Sequence, residues 1–427
     1  MFKKTGQVCA ARPQAPPQAF AAEGLARTNR YVIVGDGIAG HSAAKMLREG
    51  DPFSDIVIVT EEEYALYNRI NLKEYVIGGM THADLMIDEK FYKSNQVKLK
   101  LSTRVTRVHP DSRMVVTDKG ILEYDKLLLA VGGTPTPLKV PGAEARGVHY
   151  LWTIRDADAM NVDLSDAKSA VVIGAGLLGI DLARAYTARS LETAYLVRGT
   201  HWARKYMEPR AARIVEDGMR EGGVNLRHGE APAELKVKDG RVRGVVSSTG
   251  QEYPADVVGV GIGLDINTRF LEGSGIEVNE GILADEFLKT NFDDVYTAGD
   301  CAEYNDVLTG RREVMGNWAS ARMMGQTAAL NMMGVGQAFE FVGFYSFTHF
   351  NLKCMLIGAP RVGAEVNTVA VVNASKRIYR GLTLFQGRIV GAILINDFSG
   401  ASDIKERMRE RVDVSDEAEH VLASSTT

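Results

Sequence analysis

The stretch Tyr31-Val32-Ile33-Val34-Gly35-Asp36-Gly37-Ile38-Ala39-Gly40 decides the fold. Its first four residues are a short continuous apolar run, as in a strand buried on both faces of a parallel sheet. A G-x-G-x-x-G spacing follows at once, then a helical pattern over 41–49, a second apolar run over 56–59 and the acids Glu61, Glu62 and Glu63. Strand, glycine loop, helix, strand and acid is the order of a dinucleotide-binding βαβ unit. The first glycine permits the tight turn, the second lets backbone approach a pyrophosphate, and the third lets helix pack on strand. Helix N-terminal amides then face the phosphates, and the acid accepts from the ribose hydroxyls.

The same order recurs. Ala170-Val171-Val172-Ile173 leads into Gly174-Ala175-Gly176-Leu177-Leu178-Gly179, a helical pattern over 180–190 and an apolar strand over 193–197. Alone, either glycine motif is a weak signal. Two of them, about 140 residues apart and each between strand and helix, predict two bound dinucleotides and electron transfer between them.

Working outward, 427 residues fit two or three domains. With 50 basic and 54 acidic residues the net charge is −4, which excludes a polybasic nucleic-acid binder. The longest apolar runs fall short of the roughly 18 residues a membrane helix needs. Residues 1–29 combine Lys3, Lys4 and Arg12 with a Pro-rich run and lack a secretory apolar core, so they are expected to be a disordered tail. Cys9, Cys301 and Cys354 are far apart; their spacing encodes neither a metal site nor a short-range redox dithiol, and it fits a reducing, cytoplasmic setting.

Further motifs stand in order along the chain: Tyr67-Asn68-Arg69-Ile70-Asn71-Leu72, the run 124–133 ending Ala130-Val131-Gly132-Gly133, the segment 151–160, the second glycine loop, and Thr297-Ala298-Gly299-Asp300. Together with the first loop they resemble the FAD-dependent pyridine nucleotide–disulfide oxidoreductase superfamily. The similarity is to its branch without a redox disulfide, namely rubredoxin and ferredoxin reductases and the flavin module of assimilatory nitrite reductases. It covers roughly residues 30–335 and is looser beyond.

The resemblance implies an α/β fold with two Rossmann-like domains and a C-terminal α+β interface domain. The FAD domain would comprise 30–150 and 265–335, the NAD(P) domain 151–264, the interface domain 336–415, and a tail 416–427. FAD would be held by Gly35, Gly37, Ile38, Ala39, Gly40, Glu62 with Glu61 as its substitute, Arg69, Lys73, Ala130, Gly132, Gly299, Asp300, Trp318 and Ala319. NAD(P) would lie against Gly174, Gly176, Leu177, Leu178, Gly179, Asp181, Arg198, Arg204, Gly261, Ile262 and Gly263. A homodimer or a component of a larger complex is the implied assembly.

Two departures from the family pattern stand out. Relatives place a lysine beside the flavin where this chain has Glu74, one position after Lys73, and a glutamate where it has Asp181. An ion pair between Lys73 and Asp181 is therefore expected near flavin N5, with Lys73→Met slowing flavin reduction at least tenfold. After the second strand, Arg198 replaces the acid that marks NAD, and Arg204 follows. The two arginines suit a 2′-phosphate and favour NADPH within NAD(P)H.

No cysteine occurs over 67–79, where disulfide reductases and thiol-dependent oxidases carry theirs. The resemblance thus implies hydride transfer between nicotinamide and flavin, with electrons exchanged in either direction with a rubredoxin- or ferredoxin-type iron–sulfur protein or an associated redox subunit. An NAD(P)H oxidase or quinone reductase is the first alternative, and a non-catalytic flavin-binding sensor or assembly subunit the second. Cys301, Cys354 and His349 are expected to be core residues, and the basic helix over 402–411 a solvated face or a dock for an acidic partner.

Overall fold

A computed structural model describes residues 28–423. The tail expected over 1–29 lies outside them except for its last two residues. The first apolar run forms strand Arg30–Val34, buried from Tyr31 onward. It pairs in parallel with Asp55–Val59 on one side and Lys126–Leu129 on the other. Val97–Lys100 and Val295–Thr297 add the two edges, both parallel. The last strand arrives from far along the chain, so this sheet is assembled from two separated segments. Helices Ile38–Gly50 and Trp318–Met332 cover one face. They meet where a Cβ on Gly325 would stand 2.0 Å from the Ala39 carbonyl oxygen, an approach only glycine allows. Alternate strand residues fill both faces, Tyr31 and Ile33 on one and Val32 and Val34 on the other. Each such apolar side chain removed from water contributes about 1.5–3 kcal/mol.

A second parallel sheet runs in the order Val224–His228, Glu192–Val197, Ser169–Ile173, Val257–Val260, Val148–His149. Helices Ile154–Leu164, Leu177–Ala188 and Pro209–Glu221 pack on one face. The antiparallel hairpin Pro232–Lys238 and Arg241–Ser247 closes the other. Strand Val148–His149 belongs to this sheet, and Leu138 and Val140 pack on the same core. The chain therefore enters this unit before residue 151, because its apolar residues already face that core. At the far end of the first unit, Phe339 is buried against Tyr304 (centroids 5.3 Å apart), so its core reaches past residue 335.

Five antiparallel strands then form the C-terminal sheet, ordered Phe344–His349, Leu352–Gly358, Arg388–Ile395, Ile378–Phe385, Asn367–Asn373. One face, with Phe347, Leu352, Cys354 and Tyr379, packs on the helices of the second unit. Helices Ala401–Arg409 and Ala418–Ala423 cover the other. Here the expectation of a tail over 416–427 is corrected. Ala418, Val421 and Leu422 are buried in the core that holds Leu382 and Leu384, since an i, i+3, i+4 apolar face has a sheet to cover. Residues 424–427 lie outside the described chain. Among the described residues no helix is long and apolar enough to cross a membrane.

Candidate functional site

One cleft of about 1240 Å³ is lined by both glycine loops and by Phe344, Tyr345 and Ser346 of the C-terminal sheet. Every candidate residue named from the sequence lies on its wall except Gly40 and Gly179. Those two sit behind it and set helix–strand contact: a Cβ at Gly40 would be 2.0 Å from the Gly35 oxygen, and one at Gly179 2.1 Å from the Tyr195 hydroxyl. Gly35 has φ +106° and Gly174 φ +116°, conformations that glycine alone adopts without strain. Gly37 faces open space, with nothing within 4 Å of where a Cβ would stand, and begins helix Ile38–Gly50 without a side-chain cap. Gly176 begins helix Leu177–Ala188 in the same way. Both loops thus present bare backbone and uncapped helix amides to the cleft, the donor set a dinucleotide pyrophosphate requires.

The two acids after the first sheet's second strand are engaged differently. Glu62 accepts Tyr67 Oη at 2.7 Å on one oxygen and Arg69 at 2.6 Å on the other. Glu61 is exposed and pairs with Arg104 at 3.1 Å. Both acids line the cleft, and each is paired with an arginine. Arg69 also donates to the Trp152 carbonyl oxygen and stacks on Trp152 and Tyr67, with its guanidinium 5.1 Å from each ring centre. Asp300 follows Gly299 at the cleft; burial raises its carboxyl above the ordinary range, and the Arg69 charge pulls it back. Trp318 and Ala319 open helix Trp318–Met332, where the Asn317 side chain accepts from the Ser320 N–H at 2.8 Å.

Between the loops, Lys73 Nζ donates to Asp181 Oδ1 at 2.9 Å, both side chains being about nine-tenths buried. The neighbouring bridge is reversed in sign: Glu74 receives Arg184 at 2.6 and 3.3 Å. Opposite-signed bridges therefore join helix Leu72–Ile77 to helix Leu177–Ala188. His349 Nε2 lies 2.5 Å from the same Asp181 oxygen, and Tyr345 Oη lies 3.5 Å from the other. Nδ1 of His349 faces the Thr348 carbonyl at 2.7 Å. Both ring nitrogens thus face oxygen atoms, one from Asp181 and one from the Thr348 backbone. The expectation that His349 is a packed core residue is half the story: it is buried, and it also holds the cleft carboxylate. Sequence reasoning missed this contact because 168 residues separate its partners.

A family model described as pyridine nucleotide-disulphide oxidoreductase matches residues 29–325. The chain belongs to that family. The model of the rubredoxin NAD+ reductase C-terminal domain matches residues 347–412 of this chain. It is 27% identical over 393 residues to a nitrite reductase [NAD(P)H] of Bacillus subtilis, covering 91% of this chain and 48% of that protein. It is 31% identical over 276 residues to a rhodocoxin reductase of Rhodococcus erythropolis, covering 64% of this chain and 65% of the relative. The chain thus spans about half to two-thirds of these relatives' lengths. The putidaredoxin reductase solved as a covalent complex with putidaredoxin superposes with TM-score 0.85 at 24% identity, over 93% of this chain and 99% of that one. The family supports FAD and a pyridine nucleotide as cofactors, and the two uncapped glycine loops on one cleft fit two dinucleotides.

At the second loop, Arg198 and Arg204 are exposed at the cleft rim, beside Lys205. The loop that carries them is anchored by buried Trp202, whose N–H donates to Glu216 at 2.7 Å and whose indole donates to Tyr195 Oη at 3.1 Å. Cys301 and Cys354 are buried away from the cleft wall, and burial raises both thiols above their ordinary range. The basic helix, Ala401–Arg409, is largely neutralised. Arg407 pairs with Asp403 and Glu417, Arg409 with Glu406, and nearby Arg411 with Glu340, which leaves Lys405 over the Phe344 ring at 3.9 Å.

Proposed function

We propose that this chain is an FAD-dependent oxidoreductase that passes electrons between NAD(P)H and a one-electron iron–sulfur carrier or an associated redox subunit. The observation that carries the reading is the convergence of both glycine loops on one cleft, bridged by Lys73 and Asp181. The first loop, Glu61, Arg69, Gly299 and Asp300 would hold FAD; the second loop, Arg198, Arg204 and the 261–263 turn would hold the nicotinamide nucleotide. When bound, the flavin supplies acceptance of electrons in pairs and their release singly. The chain's own part is to orient and to exclude water. Lys73 and His349 fix the Asp181 carboxylate between the two loops, where the nicotinamide would reach the flavin. The two cleft-facing arginines favour NADPH, whose 2′-phosphate matches the guanidinium fork. Among the described residues both thiols, Cys301 and Cys354, are buried away from the cleft, which supports the flavin itself as the output. The sheet residues Phe344–Ser346 and Lys405 flank the cleft as the surface facing a carrier.

Anaerobic stopped-flow absorbance tests this reading: the yellow protein is mixed with NADH or NADPH, then with a rubredoxin or ferredoxin. Bleaching, fastest with NADPH, followed by reoxidation by the carrier is the expected result. Bleaching with recovery only on oxygen or quinone would replace it with the oxidase reading. No bleaching with either nucleotide would leave a binding role.

A further inference from the structure

Asp36 is the residue between the first two glycines of the first loop, and its role is not explained by the G-x-G pattern. It is 7% exposed and lies on the cleft wall. One oxygen, Oδ2, accepts the Tyr92 hydroxyl at 2.8 Å and the Leu66 N–H at 3.1 Å. The other, Oδ1, is buried and has no hydrogen-bond partner. Behind Tyr92, His41 Nδ1 lies 3.1 Å from the same hydroxyl, and burial pulls His41 down to about 4, so the ring is neutral. Asp88 and Lys45 act on His41 with opposite signs. The charged side chain acting on Asp36 is Glu62, another acid.

An ionised carboxylate here faces two costs. Its free oxygen is a buried acceptor without a donor. It would also stand in a phosphate loop beside the charges of a dinucleotide pyrophosphate. A single proton removes both. With Oδ2 occupied by two donors, the hydrogen belongs on Oδ1, which turns the orphan acceptor into a donor.

We propose that Asp36 binds the flavin dinucleotide as the neutral acid, with the hydrogen on Oδ1, so that FAD binding takes up one proton from solvent. Burial supports the same charge state: with Glu62 adding to it, it raises the carboxyl to about 7 despite the donors on Oδ2. In the free protein the acid is ionised above that value, and FAD binding there must recover the proton. The proposal rests on the reading of the first loop as the FAD site.

The test is FAD affinity against pH, from flavin fluorescence recovered on diluting the holoprotein and quenched on re-adding FAD to stripped protein. For the natural chain the Kd should be flat below about pH 6.5 and rise about tenfold per unit above about pH 7.5. Asp36→Asn, which places an amide donor at the same site, should be flat throughout and bind as the natural chain does at low pH. Tyr92→Phe removes a donor to the carboxylate and should move the bend to higher pH. Calorimetry at pH 8 in buffers of different ionisation heat should count close to one proton taken up per FAD, and near none for Asp36→Asn. A flat Kd for the natural chain with no proton uptake would overturn the proposal, and so would an Asp36→Asn slope equal to it. Should the variants not fold, the slope and proton count of the natural chain decide alone. A chain that holds no FAD at any pH would instead overturn the assignment of the first loop.

Discussion

In loop 35–40 the turn is backed by Ala130, whose carbonyl oxygen a Cβ at Gly35 would meet at 2.2 Å; in loop 174–179 Gly261 takes that place, at 2.1 Å. Up to this point the two loops share one backbone solution. Behind them they diverge. The first is sunk under helix Trp318–Met332 through the Gly325–Ala39 contact. The second is propped by Tyr195, whose hydroxyl donates to the Gly174 carbonyl at 2.7 Å and receives Trp202. Their rims differ: Glu61 and Glu62 by the first loop are paired with Arg104 and Arg69, whereas Arg198 and Arg204 by the second are exposed. On the proposed reading the repeated βαβ frame would serve two occupants, with only the phosphate contacts held in common. Enclosure set by distant residues would, on that same reading, separate a resident flavin from an exchanging nucleotide.

Breaking each loop should give the largest effects. Gly35→Ala places a methyl against the Ala130 oxygen in a left-handed backbone, and should yield protein without bound flavin, read as loss of absorbance near 450 nm (about that wavelength for a flavin). Gly174→Ala should keep the flavin and weaken NADPH at least a hundredfold, read by titration; loss of flavin here would erase the distinction between the loops. Next comes the bridge between them. Lys73→Met should slow flavin reduction at least tenfold, about 1.4 kcal/mol in the barrier, while FAD content stays full; an unchanged reductive half-reaction would sink the role given to it.

At the rim, Arg198→Ala should raise KM for NADPH about tenfold, about 1.4 kcal/mol, and leave that for NADH nearly unchanged, as expected for loss of one solvent-exposed charge-assisted contact. Equal effects on both nucleotides would remove the argument for a 2′-phosphate. The smallest change is Tyr195→Phe. It strands the Trp202 indole N–H and should cost about 1–3 kcal/mol of stability, seen as a lower melting temperature for the second unit with FAD affinity intact.

Much of this was legible in the sequence where the determinants are local. Four apolar residues before a glycine loop already specify a buried parallel strand, and both loops sit where the spacing puts them. Lys73 and Asp181 were reachable because each departs from a family pattern at one position. The engagement of Glu62 by Tyr67 and Arg69 was not, since it depends on how the 67–69 turn folds back. His349 carried no signal in a strand-like run, and its partner lies in another unit. Asp36 did carry one: an acid between two phosphate-loop glycines contradicts the charge of the expected ligand. The neutralised helix was half visible, as Asp403 and Glu406 are local to it while Glu417 and Glu340 come from elsewhere.

The meeting of Lys73, His349 and Asp181 has a consequence for engineering. The three residues arise from three structural units and share one carboxyl oxygen between them. Swapping the C-terminal module for that of a relative lacking a histidine at this strand position would leave that Asp181 oxygen with Lys73 as its one remaining partner. A chimera assembled at tidy domain boundaries would then inherit a mismatched keystone, and a graft that carries strand Phe344–His349 along with its native host would not.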